Sequence, residues 1–158
     1  MAGDDGWSEL AVLYREHARS MVRLAALLVD DVGTAEEIVQ DAFVLVHRRW
    51  AHVEKPEQYL RKSVVNLSRS RLRRRLVALR YPSAHIPDAP SAEELANDQA
   101  SVIAALRSLP RRQREVLVLR YWSELSEAEI AATLGISAGS VKTHAHRGLT
   151  TLGQRLEP

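Results

Sequence analysis

The feature that most constrains the fold is a series of helix-start and turn signals within residues 126–152. Ser126 and Glu129 have the spacing of a capping box, which begins a helix. Gly135 supplies the positive φ of a tight turn, and Ser137 can cap the helix that follows. Apolar residues lie at helical spacing around this turn: Ile130, Ala131, Leu134, Ile136, Val141, Ala145, Leu149 and Leu152. The pattern predicts a helix-turn-helix, the alternative being an ordinary helical hairpin with a solvated polar face.

The second helix of this motif has a polar face suited to DNA. Its hydroxyl, imidazole and cationic groups can hydrogen bond to phosphates and base edges, and they belong to Ser140, Lys142, Thr143, His146 and Arg147. His144 and His146 are a conceivable metal pair, but two positions on a helix are separated by about 200°. We therefore predict that the chain binds no metal.

Composition favours helix throughout. Of the 158 residues 46% are hydrophobic and only 5% aromatic, and no long alternating β-branched run occurs. The absence of cysteine excludes disulfides and fits a reducing compartment. The acidic N-terminus lacks a secretory pattern, and the apolar stretch Val22–Val29 is far shorter than the roughly 20 residues of a membrane span. These features predict an all-α cytoplasmic protein with no membrane contact.

Three amphipathic helices are predicted in the N-terminal half. The first covers Trp7 to about Leu28, and Thr34 with Glu37 has the capping-box spacing for the second. The second helix has an inward stripe of Val39, Phe43, Val46 and Trp50. The third covers Glu57 to Leu79, with Leu60, Val64, either Leu67 or Ser68, Leu72 and Leu76 inward. In the C-terminal half the helical pattern is broken at Pro110. We expect a second core to be formed by apolar residues on both sides of this break: Val102, Ile103 and Leu106 before it, and Val116, Leu117, Leu119 and Tyr121 after it.

Charge is strongly segregated between two of these helices. Residues 30–41 contain five acids and no base, whereas residues 61–75 contain seven bases and no acid. Acids in a first turn stabilise the helix dipole, which explains Glu36 and Glu37. Asp41 lies beyond that turn, so it indicates a protein-docking face as an alternative.

The basic segment has a spacing that can follow a phosphate backbone. Lys62, Asn66, Arg69 and Arg73 form one stripe, with Arg71, Arg74 and Arg75 assigned beside it. A solvated face is the alternative reading. Asn66 favours a nucleic-acid role because a mid-helix asparagine is unfavourable and its amide can both donate to and accept from a base.

Residues 81–98 contain three of the six prolines and little periodicity, which indicates a flexible linker. The sequence thus predicts two small helical domains, residues 1–79 and 99–158, joined by residues 80–98.

Together these segments resemble the extracytoplasmic-function (ECF) sigma factors of bacterial RNA polymerase. In sequence and spacing they are most similar to the SigE-type subfamily of actinobacteria. AEEIVQDAFVLVHRRW (35–50) is similar to the family's polymerase-binding helix, and YLRKSVVNLSRSRLRRR (59–75) to its minus-ten helix. Residues 105–152 resemble its minus-thirty-five domain. The predicted domains are then a sigma-two-like bundle and a sigma-four-like helix-turn-helix domain, and the chain is a transcription initiation subunit rather than an enzyme.

The resemblance implies a role for each polar face. Core-polymerase docking on the β′ clamp helices would fall to Glu37, Gln40, Asp41 and Val44. Minus-ten contacts would come from Lys62, Asn66, Arg69, Arg71, Arg73 and Arg74, and minus-thirty-five contacts from Ser140, Lys142, Thr143, His146 and Arg147. The implied partners are core polymerase, including its β flap, promoter DNA and, as in many members, an anti-sigma factor.

Two other classes of protein fit only parts of this sequence. A polymerase-independent regulator of the LuxR type would have nearly the same sequence in the helix-turn-helix. Such a response regulator would also need a receiver domain, and residues 1–80 lack the strand pattern of one. An enzyme would need a catalytic constellation, and no Ser/His/Asp set, phosphate-binding glycine loop or HExxH motif occurs. We therefore predict no cofactor and no small-molecule substrate.

Overall fold

The computed structural model describes residues 2–80 and 98–157, and every regular element in those two ranges is helical. The α-helices are α1 (Ala2–Val29), α2 (Val32–Arg48), α3 (Pro56–Ala78), α4 (Asp98–Arg107), α5 (Arg111–Leu117), α6 (Glu127–Leu134) and α7 (Ala138–Leu156). A 3₁₀ turn at Trp50–His52 precedes α3, and a π-helical segment, Val118–Trp122, follows α5. The all-α prediction is confirmed.

The chain divides into two compact units, Met1–Arg74 and Arg75–Pro158. The predicted linker lies almost entirely outside the described residues, apart from Arg80 and Asp98, and α4 begins at Asp98. Within the described residues no helix is long and apolar enough to cross a membrane.

The first unit is held together by the apolar sides of its three helices. Leu24, Ile38 and Leu60, from α1, α2 and α3, are almost completely removed from solvent. Val39, Phe43 and Val46 are buried as the predicted stripe requires, and Trp50 is half-buried. Leu76 was expected to face inward but is 65% exposed, so the buried side of α3 ends before it.

The start of α2 differs from the prediction. Its N-cap is Asp31, whose carboxylate accepts hydrogen bonds from the N–H groups of Gly33 (3.2 Å) and Thr34 (3.1 Å). Thr34 is inside the first turn, and its hydroxyl donates to the same carboxylate. The Thr34–Glu37 capping box is therefore wrong, because an aspartate three residues earlier already satisfies the free N–H groups of the turn. The earlier start also places Glu36 and Glu37 beyond the first turn, so the explanation of these two acids by the helix dipole is wrong as well.

The second unit is built around α7, which packs on α4, α5 and α6. Val116, Leu119, Ile130 and Val141 form its core. Val102 was predicted to be inward but is 40% exposed, and Ala105 is buried in α4 instead.

Two charged residues of α5 are buried in this unit. The Arg114 guanidinium donates from Nε to the carbonyl of Leu106 (3.1 Å) and from a terminal nitrogen to the carbonyl of Arg107. It thus satisfies carbonyls that the end of α4 leaves without helical partners. Glu115 is 3% exposed and forms ion pairs with Arg111 (3.3 Å) and Arg112 (3.4 Å).

The π-helical segment changes the helical register after α5. The Ser123 N–H donates to the Val118 carbonyl five residues back, at 3.2 Å. Tyr121 is 59% exposed, so its predicted inward position is wrong. The wider turn accounts for this, because a 3.6-residue period counted from Val116 no longer applies beyond Val118.

Candidate interfaces for DNA and protein

The helix-turn-helix forms as the sequence predicts. Ser126 Oγ accepts from the Glu129 N–H at 3.2 Å, and the Glu129 carboxylate accepts from the Ser126 N–H at 2.8 Å. Gly135 has a φ of 67° in the turn, a value that favours glycine. Ser137 Oγ then accepts from the Ser140 N–H at 3.1 Å and caps α7. The direction in which α7 leaves the turn is therefore fixed at both helix boundaries.

The packing of α7 differs from the prediction at one position. Leu149 was expected inward but is 44% exposed, whereas Gly148 is buried. A Cβ at position 148 would lie 2.8 Å from Leu117 Cδ1, closer than real carbon atoms approach. The glycine thus lets α5 pack directly on the backbone of α7, and it occupies the core position that a pattern of large apolar residues assigns to its neighbour.

The predicted promoter-facing residues of α7 are largely accessible. Lys142, Thr143, His146 and Arg147 are exposed, and Ser140 is half-buried. The Ser140 hydroxyl accepts a hydrogen bond from Ser137 at 2.9 Å, and the Thr143 hydroxyl donates to the Gly139 carbonyl at 3.1 Å. His144 is half-buried whereas His146 is exposed, so the two imidazoles do not share a face. In the described residues no cluster of three or more His, Cys, Asp or Glu side chains could hold a metal ion.

One carboxylate lies beside this face. Glu127, at the first position of α6, is 3.8 Å from Lys142 Nζ and 3.6 Å from the Arg120 guanidinium. Arg120 belongs to the π-helical segment and Lys142 to α7. The acid thus sits between two cations that the sequence separates by 22 positions.

The stripe on α3 is formed as predicted. Lys62, Asn66 and Arg73 are exposed and Arg69 is half-buried, while Leu60, Val64 and Val65 of the same helix are buried. Arg74 is exposed as well. Four of the predicted minus-ten residues are therefore brought together on one side of one helix.

Arg71 does not share that side. It is two positions from Arg69 and from Arg73, which places it about 160° around the helix from each. Its guanidinium lies 3.2 Å from the Glu37 carboxylate of α2. The structure thus places Arg71 beside a residue predicted to dock on polymerase.

The polar face of α2 is solvent-exposed along its length. Glu37, Gln40, Asp41 and Val44 are all exposed, and the opposite side contributes Ile38, Val39, Ala42 and Phe43 to the core. Sequence reasoning missed a groove beside this face, about 410 Å³ in volume, between α1 and α2. It is lined by Tyr14, Ala18, Arg19, Val22, Glu36, Val39 and Gln40. The centre of the Tyr14 ring lies 4.9 Å from the centre of the Phe43 ring. An aromatic residue on the apolar side of α1 is therefore the feature of the sequence that could have indicated the groove.

Two family models match the chain, one in each half. Residues 13–76 match Sigma-70 region 2, and residues 99–152 match Sigma-70, region 4. The LuxR-type alternative has no support, because it leaves the region 2 match unexplained.

Curated relatives match over most of the chain. The RNA polymerase sigma-E factor of Streptomyces coelicolor is 34% identical over 147 residues, covering 90% of this chain and 82% of that protein. The sigma-E factor of Streptomyces avermitilis is 36% identical over 149 residues, with the same two coverages. The ECF RNA polymerase sigma factor SigM of Mycobacterium tuberculosis is 31% identical, covering 91% of this chain and 75% of that protein.

Solved structures show the same fold. The sigma factor RpoE of Bartonella quintana, crystallised with the anti-sigma factor NepR, matches with a TM-score of 0.76 and 23% identity, over 96% of each chain. CnrH, in complex with the cytosolic domain of CnrY, matches with a TM-score of 0.73 and 21% identity, over 98% of this chain and 90% of that one. The sequence relatives carry the functional conclusion: this chain belongs to the ECF family of RNA polymerase sigma factors, which are transcription initiation factors and not enzymes.

Proposed function

We propose that this chain binds core RNA polymerase in the cytoplasm and directs it to promoters through minus-ten and minus-thirty-five contacts. The observation that supports this best is the exposed α2 face. Asp41 is exposed on a helix whose other side is buried. It lies beyond the first turn of α2, so the helix dipole does not explain it. A charged surface of this kind fits a partner of opposite charge.

Docking is assigned to Glu37, Gln40, Asp41 and Val44, with the β′ clamp helices as their partner. Three of these side chains are polar and Val44 is an exposed apolar one, 48% accessible. This combination is suited to an interface in which an apolar contact is surrounded by hydrogen bonds and ion pairs. The second unit would meet the β flap.

Promoter contacts are divided between the two units. The exposed amide of Asn66 would hold a minus-ten base, and Lys62, Arg69, Arg73 and Arg74 would neutralise phosphates. On α7, Lys142, Thr143, His146 and Arg147 would face the minus-thirty-five element, with Ser140 at its edge.

We also propose domain limits of 1–79 and 99–158 with a tether between them. Polymerase would fix the spacing of the two DNA-reading surfaces, so each would raise the effective concentration of the other at a promoter. An anti-sigma factor that covers these surfaces would block both contacts. No small-molecule substrate, cofactor or membrane contact enters this function.

The docking assignment is tested by Asp41→Arg. We expect the affinity for core polymerase to fall at least tenfold, which corresponds to about 1.4 kcal/mol. The reason is that an arginine would face the positively charged partner surface that we propose for the α2 face. The measurement is a titration of labelled chain with core enzyme. Asn66→Ala is the matched control, since it should keep core affinity and reduce promoter opening in a permanganate footprint. Undiminished core binding by Asp41→Arg would remove α2 from the interface.

A further inference from the structure

The contact between Arg71 and Glu37 joins two faces that the sequence assigns to different partners. Glu37 is on the proposed docking face of α2, and Arg71 is in the basic segment of α3. Their charged groups are 3.2 Å apart. The carboxylate side chain is 64% exposed and the guanidinium side chain 32%, so the acid points outward and the base lies closer to the body of the unit.

The position of Arg71 on α3 explains this contact. Leu60 and Val64 are buried in the first unit, and Arg71 follows them by eleven and seven positions. These separations leave the three residues within about 20° of one direction on a helix. Arg71 therefore continues the buried side of α3 and reaches α2, whereas Asn66 is about 140° away.

We propose that Arg71 is a positioning residue of the polymerase-docking face rather than a promoter contact, and this rests on the proposed docking role of α2. A glutamate on an exposed helix face loses side-chain freedom when it binds a partner, and that loss lowers affinity. The planar guanidinium holds the Glu37 carboxylate in one place before binding. It also offsets repulsion between that carboxylate and the neighbouring acids Glu36 and Asp41.

The test measures two quantities for the same variants. One is the affinity of the full chain for core polymerase, and the other is the salt dependence of holoenzyme binding to a minus-ten fork DNA. Arg71→Ala should weaken core binding about twofold to fivefold, the range expected for an exposed ion pair, and leave the salt slope unchanged. Arg71→Lys should recover part of the affinity. Arg73→Ala, two positions along the same helix, should keep core affinity and lower the slope by about one.

A double-mutant cycle separates positioning from a general effect on folding. In a Glu37→Gln background the further change Arg71→Gln should have no effect on core affinity, because the carboxylate that it positions is gone. An undiminished effect of Arg71→Gln in that background overturns the proposal. So does a lower salt slope for Arg71→Ala with unchanged core affinity, which would make Arg71 a phosphate contact.

Asp41→Arg serves as the reference in the same titration. If it fails to reduce core binding, the docking face itself is wrong. If it reduces core binding while the Arg71 variants do not, only the positioning role is wrong.

Discussion

The two helices proposed to meet DNA, α3 and α7, are built in contrasting ways. Helix α3 has seven Lys and Arg residues and one acid over Pro56–Ala78, whereas α7 has three and no acid over Ala138–Leu156. Helix α7 has fewer cations, but its orientation is fixed: it is capped by Ser137 and packed through Gly148 against Leu117. Cations in number give affinity that depends on salt, and a precisely oriented helix gives base discrimination. If both helices bind promoter DNA as proposed, phosphate contacts are concentrated on α3, around the single base-reading amide of Asn66, and base discrimination depends mainly on α7.

The largest effect should come from disturbing the packing of α7 against α5, because this changes the stability of the second unit. Gly148→Val should lower the free energy of unfolding by about 1–3 kcal/mol, because the added carbons meet Leu117 in a filled core. Urea denaturation followed by circular dichroism measures it. Gly153→Ala in the same helix is the control: apart from its chain neighbours and the backbone of its own helix, no atom lies within 4 Å of the added Cβ, and alanine should gain up to about 1 kcal/mol. Equal stability of Gly148→Val and the unaltered chain would mean that α7 does not depend on this close approach.

The division of tasks is tested directly by Arg147→Ala and Arg73→Ala in holoenzyme. Arg147→Ala should cost about 1–3 kcal/mol on the preferred minus-thirty-five sequence and relax its specificity. Arg73→Ala should weaken binding to all sequences alike and reduce the salt slope by about one. The measurement is promoter affinity across a set of minus-thirty-five variants at several salt concentrations. If Arg147→Ala weakened all sequences equally, both helices would be phosphate binders and the comparison would fail.

The smallest effect is expected at Glu127, which lies between Arg120 and Lys142. Glu127→Gln should release Lys142 toward phosphate and strengthen holoenzyme binding to DNA by no more than about 1 kcal/mol, an effect that salt removes. Glu124→Gln, a nearby exposed acid, controls for the change in net charge. Weaker binding by Glu127→Gln would show that the carboxylate orients Lys142 toward DNA rather than holding it back.

Local signals allowed the most accurate predictions. The Ser126 capping box, the Gly135 turn and the Ser137 cap depend on residues within a few positions of one another, and all three are confirmed. The α2 stripe was equally predictable, because a regular helix keeps its period from Val39 to Val46.

Predictions failed where a distant part of the chain decides. Leu149 gives way to Gly148 because α5 approaches too closely for a side chain. Tyr121 turns outward because a π-helical segment interrupts the period. Arg71 is a different case, because its minus-ten role stays a prediction: its charge groups it with its neighbours, whereas the angular argument that separates His144 from His146 also separates it from Arg69. Which acid it meets depends on how α3 packs on α2, and no local pattern contains that information.

The buried guanidinium of Arg114 has a consequence for how this chain can be divided. Two of its acceptors are carbonyls at the end of α4, so removing that helix would leave a buried cation without them. We therefore expect a fragment of the second half that begins after α4 to be less stable than one that includes α4. To exchange the proposed promoter specificity between sigma factors, the whole span from residue 98 onward should be moved, because α4 supplies acceptors for a buried cation of the unit that contains the helix-turn-helix.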